Sequence, residues 1–321
     1  MPVQPSASSV VPAWPHLLAE VLAAPERLRV HFQPIVDLRA GVVRAYEALA
    51  RPTGDQPPAA WFAAAANLGC AGALEAQVLE AALTQRPLLG RGRSVAVNLS
   101  ASALRSDDVR AVLSRHGRLD ALVVEVTAQG PDVDPTSVGE ALAALRAAGA
   151  QVAADDADAL DAELLAALSP RYVKVHHRVA GDALPIAARL GATVVAKGVE
   201  ADEDLEALGR LGVPLAQGFA LGVPSAVPGE LDHAIAAGLR GLAIADRRAV
   251  VTLGELAAGT SLVDLPDGTL ELPASTPLGE AARFAMTRQA PARFAPVVAV
   301  DDAGRRIGAV PVERLVVALA G

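Results

Sequence analysis

Eight short apolar runs, set among stretches of helical periodicity, fill residues 28 to about 222 and limit the possible folds more than any other feature. They lie at 30–36, 43–49, 95–99, 122–127, 151–154, 172–175, 193–196 and 216–221. Polar alternation is nearly absent from them, as in strands buried on both faces of a parallel sheet. Helix signals fall between them. Thr136 or Ser137 can cap a helix whose Val138, Leu142 and Leu145 share one face and which Gly149 ends. Asp202 can cap another, carrying Leu205, Leu208 and Leu211 and stopped by Gly212. The Ala-rich stretch 57–85 reads as two helices split near residues 69–72. The expected fold is therefore α/β, a (β/α)8 barrel of the TIM type. A doubly wound open sheet satisfies the same alternation. No GxGxxG follows a strand and no Walker P-loop is present, which weighs against its dinucleotide-binding form.

Composition narrows the setting. With 52% apolar and 20% charged residues the chain can bury a core and is not of the disordered class. Its 36 acidic against 28 basic side chains give a net charge of −8, the wrong sign for a nucleic-acid binder. The longest apolar stretch, 61–74, contains Asn67 and falls short of the roughly 18 residues a membrane helix needs. Cys70 is the one cysteine, so no internal disulfide is available, and it reads as a small buried residue. No signal peptide is evident, and a cytoplasmic protein is expected. Three segments are expected: a tail over 1–20, the barrel over 21–240 and a small α+β segment over 241–321. In that last segment, apolar runs at 296–300 and 307–310 flank a turn signal, with helices at 278–287 and 312–319. A connector helix is expected at about 229–242.

Active sites of such barrels form at the carboxyl ends of the strands. Those positions carry Glu47, Asn98, Glu125, Asp155 with Asp156, Lys174, Lys197 with Glu200, and Gln217. Several carboxylates converging there would repel one another without a cation. Carboxylates with an amide oxygen are a ligand set for Mg²⁺, Mn²⁺ or Ca²⁺. Lys174 and Lys197 are the only lysines in the chain; the other 26 basic residues are arginine. A compact ammonium at these two places is something a broad guanidinium does not imitate. His176 and His177 are adjacent, so an extended run would aim them to opposite faces and bring one to the mouth, where His176 could join the acids on a transition metal. His31 and His116 read as bland.

Gln33-Pro34-Ile35-Val36-Asp37 and Tyr46-Glu47-Ala48-Leu49-Ala50-Arg51 resemble the opening of the EAL domain family, bacterial phosphodiesterases that cut cyclic-di-GMP. The resemblance runs on through Val97-Asn98-Leu99-Ser100, Val124-Glu125-Val126-Thr127, Ala154-Asp155-Asp156, Val173-Lys174-Val175, Ala196-Lys197-Gly198-Val199-Glu200 and Gln217-Gly218-Phe219, about residues 28–225. It implies metal ligands at Glu47, Asn98, Glu125 and Asp155, with Asp156 for a second ion. It implies a lysine near the attacking water at Lys174 and site positions at Glu200 and Gln217. Dinucleotide contacts are implied at Gln33, Leu49 and Arg51.

The departures cluster. Lys197 stands where the family has a glutamate that serves as base or metal partner. The family's glycine- and hydroxyl-rich loop is here Asp155-Asp156-Ala157-Asp158-Ala159-Leu160-Asp161, and the stretch from Asp155 to Lys174 is about two residues short of the family's spacing. Ala128 replaces the glutamate that steadies that loop, and His176 replaces an aspartate. An ammonium aimed at the site disfavours Mg²⁺ or Mn²⁺ and is expected to pair with Glu47, Glu125 or Asp155. The expected function is a catalytically weak or inactive regulatory module that still meets cyclic-di-GMP. An active metal-dependent phosphodiesterase and a ligand-free scaffold are the alternatives.

Residues 274–321 resemble one CBS repeat, through Thr276-Pro277-Leu278-Gly279-Glu280-Ala281, Pro296-Val297-Val298-Ala299-Val300-Asp301 and Gly304-Arg305-Arg306-Ile307-Gly308-Ala309-Val310. Such repeats work in pairs. Pro311 and Arg314 replace the family's ribose-binding hydroxyl and aspartate, so docking on the barrel or pairing with a second copy of the chain is expected there in place of nucleotide binding, and the protein as a whole is expected to form a homodimer or meet a signalling-protein partner.

Overall fold

The computed structural model describes residues 13–127, 135–157, 162–248, 252–258, 260–262, 265, 269–289 and 292–320. Ala128, residues 158–161 of the departing loop and the first 12 residues lie outside the described residues. The chain divides into two compact units, Met1–Ala243 and Ile244–Gly321.

The first unit opens with α1 (Trp14–Ala23), β1 (Leu28–Asp37), β2 (Val42–Pro52), α2 (Pro58–Asn67) and α3 (Ala71–Gln85). Then come β3 (Ser94–Ser100), α4 (Asp107–His116), β4 (Leu122–Thr127), α5 (Pro135–Ala147) and β5 (Gln151–Ala154). After these follow α6 (Ala162–Leu168), β6 (Tyr172–His176), α7 (Ala180–Leu190), β7 (Thr193–Lys197), α8 (Asp202–Arg210) and β8 (Leu215–Ala216), and α9 (His233–Arg248) begins in the first unit and ends in the second. The eight strands close into a barrel in sequence order, as the alternation of apolar runs predicts.

Three features differ from expectation. β1 and β2 form an antiparallel hairpin with no helix between them, so β1 runs against its neighbours on both sides. Gly41, at φ +62°, supplies the left-handed residue at that turn. The eighth run, expected over 216–221, pairs only through Leu215 and Ala216. Beyond Ala216 the backbone folds onto the end of β7 and the loop after it, with Gln217 N donating to Ala196 O and Val199 N to Gln217 O. Gly218 is required by this approach, because a Cβ there would lie 2.0 Å from the Val199 carbonyl oxygen. Lastly, α1 begins inside the expected tail and buries Leu18 and Val21 in the barrel core, with Trp14 edge-on to Trp61 at 5.5 Å.

Two expected caps are displaced by one or two residues: α5 already begins at Pro135, so Thr136 and Ser137 lie within it, and Ala201 occupies the N-cap position of α8, with Asp202 in its first turn. Ser106 caps α4 by accepting from Val109 N at 3.2 Å, with Asp107 and Asp108 in the first turn and Arg115 and His116 in the last. Val138, Leu142 and Leu145 of α5 and Leu205 and Leu208 of α8 are buried as expected, whereas Leu211 lies beyond α8 and is 53% exposed. Cys70 is half-buried just before α3.

The second unit holds α10 (Leu253–Ala257), β9 (Leu270–Pro273), α11 (Leu278–Thr287), β10 (Val297–Val300), β11 (Arg306–Val310) and α12 (Val312–Ala320). The sheet order is β11-β10-β9, with β9 parallel and β11 antiparallel to β10. Asp301 Oδ1 shapes the β10–β11 turn by accepting from Ala303 N at 3.0 Å and Arg305 N at 2.8 Å. Sequence reading missed β9 and α10; both are short, and α10 is announced only by the Thr252/Glu255 capping box.

Candidate functional site

The barrel interior is built in two tiers, and strand periodicity fixes what occupies each. Ile35, Ala96, Val123, Ala153 and Val195 form a small apolar cluster, with Ala45, Tyr172 and Leu215 packed against it. Two residues further along each parallel strand, the inward-facing side chain is polar: Glu47, Asn98, Glu125, Asp155, Lys174, Lys197 and Gln217. On β1, which runs the other way, the partner of Ile35 is Gln33, two residues earlier. The β1–β2 register sets Gln33 opposite Glu47, so the reversed strand contributes at the same level.

Lys174 is the hub, only 2% exposed. Its Nζ donates to Glu47 Oε2 at 3.0 Å and Glu125 Oε2 at 2.5 Å. Glu47 is further held by Asn98 Nδ2 at 2.6 Å and Gln217 Nε2 at 2.7 Å. Gln217 Nε2 also reaches Gln33 Oε1 at 3.1 Å, and Gln33 Nε2 donates to the Gly222 carbonyl at 3.2 Å. Two carboxylates thus share one ammonium, but among the described residues only Glu47 has neutral donors in addition. Burial acts to raise the Glu47 pKa; the Lys174 charge and the bonds from Gln217, Lys174 and Asn98 outweigh it and hold the carboxyl at about 2. Glu125 is pushed up to about 8, by burial first and then by the Glu47 charge, against the pull of Lys174. Burial alone would lower the Lys174 pKa; Glu125, Glu47 and Asp155 raise it well above the ordinary lysine value.

This asymmetry makes a pH prediction. The stability contributed by protonated Glu125 is fully present below its ordinary value of about 4.5 and is lost as pH rises through about 8. Urea unfolding of the native chain is therefore expected to show falling stability between these limits, and Glu125→Gln is expected to flatten that decline. An equal slope in the variant would contradict the assignment.

Lys197 forms a second ion cluster. Its Nζ donates to Asp155 Oδ1 at 2.8 Å and to Asp156 Oδ1 in a still shorter contact. Burial pulls its pKa down, but the bonds and charges of both aspartates prevail and raise it. Asp156 sits in the left-handed region at φ +47°, a conformation Asp tolerates better than most residues and which the ion pair holds in place. The expected pairing of Lys197 with Asp155 is present. Glu47 and Glu125, the other expected partners, belong to Lys174 instead.

Gln33, Glu47, Asp155, Lys174, Lys197, Glu200 and Gln217 line one cavity of about 280 Å³, together with Phe219. The Glu200 carboxylate is exposed at its rim and makes no hydrogen bond among the described residues. Leu49 and Arg51 line a separate groove of about 320 Å³, with Phe62, Glu75 and Ser100; Asn98 borders that groove while bonding Glu47. Glu75 was not foreseen. It is 7% exposed, and its carboxylate accepts from Ser100 N at 2.7 Å and Ser100 Oγ at 2.8 Å. Burial raises its pKa, and the Ser100 bonds offset this only in part. An acid among Leu74, Val78 and Leu79 on the buried face of α3 was the available signal.

A divalent ion does not fit the donors as they stand. Every carboxylate that would ligate it is bonded to an ammonium, Glu47 and Glu125 to Lys174, Asp155 and Asp156 to Lys197. Among the described residues no three His, Cys, Asp or Glu side chains are grouped so as to hold a metal.

The sequence pattern of the EAL domain matches residues 19–224, so the chain belongs to the EAL domain family, a family of cyclic-di-GMP phosphodiesterases. An uncharacterized protein of Azorhizobium caulinodans is 30% identical over 243 residues, 65% of this chain and 33% of that protein. The chain thus spans about a third of the length of this curated relative. Among solved structures, the PaMucR phosphodiesterase in complex with c-di-GMP is 28% identical with a TM-score of 0.56, covering 62% of this chain and 97% of that one. The EAL-domain protein YkuI of Bacillus subtilis, in complex with substrate c-di-GMP and calcium, has a TM-score of 0.63 at 20% identity, covering 74% and 67%. At that identity the likeness shows the fold alone. No helix among the described residues is long and apolar enough to cross a membrane.

Proposed function

We propose that this chain is a cytoplasmic cyclic-di-GMP-responsive module whose barrel binds the dinucleotide and hydrolyses it slowly or not at all. The observation that carries this reading is the Lys197 ammonium bonded to both Asp155 and Asp156, where the family resemblance places a second metal ion. A fixed cation neutralises those acids but supplies neither an activated water nor an open coordination position, which metal-assisted hydrolysis requires. Gln33, Leu49 and Arg51 are the proposed dinucleotide contacts, with Arg51 suited to a phosphate oxygen. Lys174 and Gln217 hold Glu47 in place, and Glu200 stands at the rim.

The second reading, an active phosphodiesterase, is favoured by the convergence of Glu47, Asn98, Glu125 and Asp155 at one level of the barrel. For the second unit we propose a single CBS-like repeat that pairs with another copy or docks on a signalling partner. Its β9-α11-β10-β11-α12 order supports that reading.

Equilibrium titration with cyclic-di-GMP, with and without Mg²⁺, followed by product analysis, separates the readings. Binding in both conditions is expected, with hydrolysis slower by about 10²–10⁴-fold than general-base-assisted turnover. Turnover at ordinary enzyme rates would establish the phosphodiesterase, and absence of binding would leave a scaffold.

A further inference from the structure

His176 and His177 do not point to opposite faces, because β6 ends at His176 and the backbone turns into a short 3-10 helix over His177–Val179. Their rings lie 4.3 Å apart, centroid to centroid, inclined by 35°. Gly198, the residue after Lys197, opens a notch beside both. A Cβ on Gly198 would lie 3.3 Å from His176 Nε2 and 3.8 Å from His177 Nδ1, so both nitrogens border the same small space. His177 Nδ1 is buried and has no hydrogen-bond partner among the described residues. Its other nitrogen, Nε2, lies 3.4 Å from Asp204 Oδ1. Asp204 is itself fixed, its Oδ2 accepting from Glu200 N and Ala201 N at 3.2 Å each.

We infer that the notch over Gly198 is a transition-metal site, with His177 Nδ1 and His176 Nε2 as ligands and Asp204 orienting His177 from behind. A carboxylate facing Nε2 favours the tautomer protonated there. That leaves the Nδ1 lone pair bare and aimed into the notch, the arrangement found in metal-bound histidines whose other nitrogen meets a carboxylate. A ligand would end the isolation of a buried acceptor that otherwise costs stability. His176 must give up the 3.3 Å bond its Nδ1 accepts from Arg178 N, so that Nε2 becomes the unprotonated nitrogen. Arg178 is exposed, and water can take that N–H. Two imidazoles select Zn²⁺, Ni²⁺ or Cu²⁺ over Mg²⁺, with Cu²⁺ tightest. The remaining positions stay open for water or a ligand atom. This site involves none of the barrel acids, and its existence is independent of whether the barrel binds cyclic-di-GMP.

The test is a competition titration of the full chain with Zn²⁺ and Cu²⁺ in a large excess of Mg²⁺, with the Cu²⁺ form read by electron paramagnetic resonance. One ion per chain with two coupled nitrogens is expected. His176→Gln and His177→Gln are each expected to weaken binding at least tenfold, and Asp204→Asn by about tenfold or more. His176 is exposed, so His176→Gln remains informative if the His177 variant fails to fold. The proposal is overturned if the parent binds neither ion. It is equally overturned if both glutamine variants bind within twofold of the parent. A loss confined to variants of His16 or His116, which sit beside Glu20 and Glu80, also overturns it.

Discussion

Lys174→Met is expected to cost the fold about 3–5 kcal/mol, the usual penalty for removing one partner of a buried ion pair. Methionine fills a similar volume, so the loss isolates the charge. Without the ammonium, Glu47 and Glu125 face each other in a site where they are 8% and 1% exposed. Asn98 and Gln217 still reach Glu47, but among the described residues nothing comparable reaches Glu125. The penalty therefore depends on pH in a stated direction. Glu125 already favours its protonated form, and protonation removes one of the two orphaned charges. The variant should lose less stability at pH 5 than at pH 8. Urea midpoints at the two pH values check both statements. A loss under about 1 kcal/mol at pH 8 would show that the Lys174 cluster does not carry the electrostatics assigned to it.

Lys197→Glu is expected to raise the affinity for Mn²⁺ or Mg²⁺ by at least tenfold. The substitution removes a cation bonded to Asp155 and Asp156 and adds an anion in its place, a swing of two charges. One unit charge pair at ~4 Å is worth roughly 4 kcal/mol at an effective dielectric of 20, about a thousandfold, and a divalent ion makes two such pairs with each side-chain charge, which sets a far higher ceiling. The gain falls below that ceiling because Lys197 is at the strand end and a quarter exposed, where water screens it. Lys197→Met, which removes the ammonium without adding a ligand, should show the smaller gain. In the absence of metal the glutamate variant should melt lower than the native chain, and Mn²⁺ should restore it by linkage. Equal affinity in all three proteins would mean that Lys197 is not what keeps a divalent ion out.

Much of the barrel was legible because its strands are apolar on both faces and its helices carry caps and stops. The site was legible for a related reason. A polar residue closing an apolar run has few places to go except the mouth, and Glu47, Asn98, Glu125, Asp155, Lys174 and Lys197 all obey this. What was not legible depended on direction and register. Gln33 sits in mid-strand, and only the antiparallel pairing of β1 with β2 brings it level with Glu47. The run at 216–221 looked like a strand, yet its backbone bonds to the loop after β7 once Gly218 permits close approach. Which lysine meets which acid could not be read from the strand order, because both project into one barrel. The histidine pair was misread for want of one fact, that the strand stops at His176. Glu75 was passed over because a helix acid beside an apolar stretch ordinarily faces solvent.

The most direct test of the ammonium-for-metal account is a crystal structure of the native chain grown with Mn²⁺ and examined by anomalous scattering. Density for the Lys197 side chain between Asp155 and Asp156, with no manganese peak there, is the predicted result. A manganese peak bridging those aspartates, with Lys197 turned out to solvent, would contradict it.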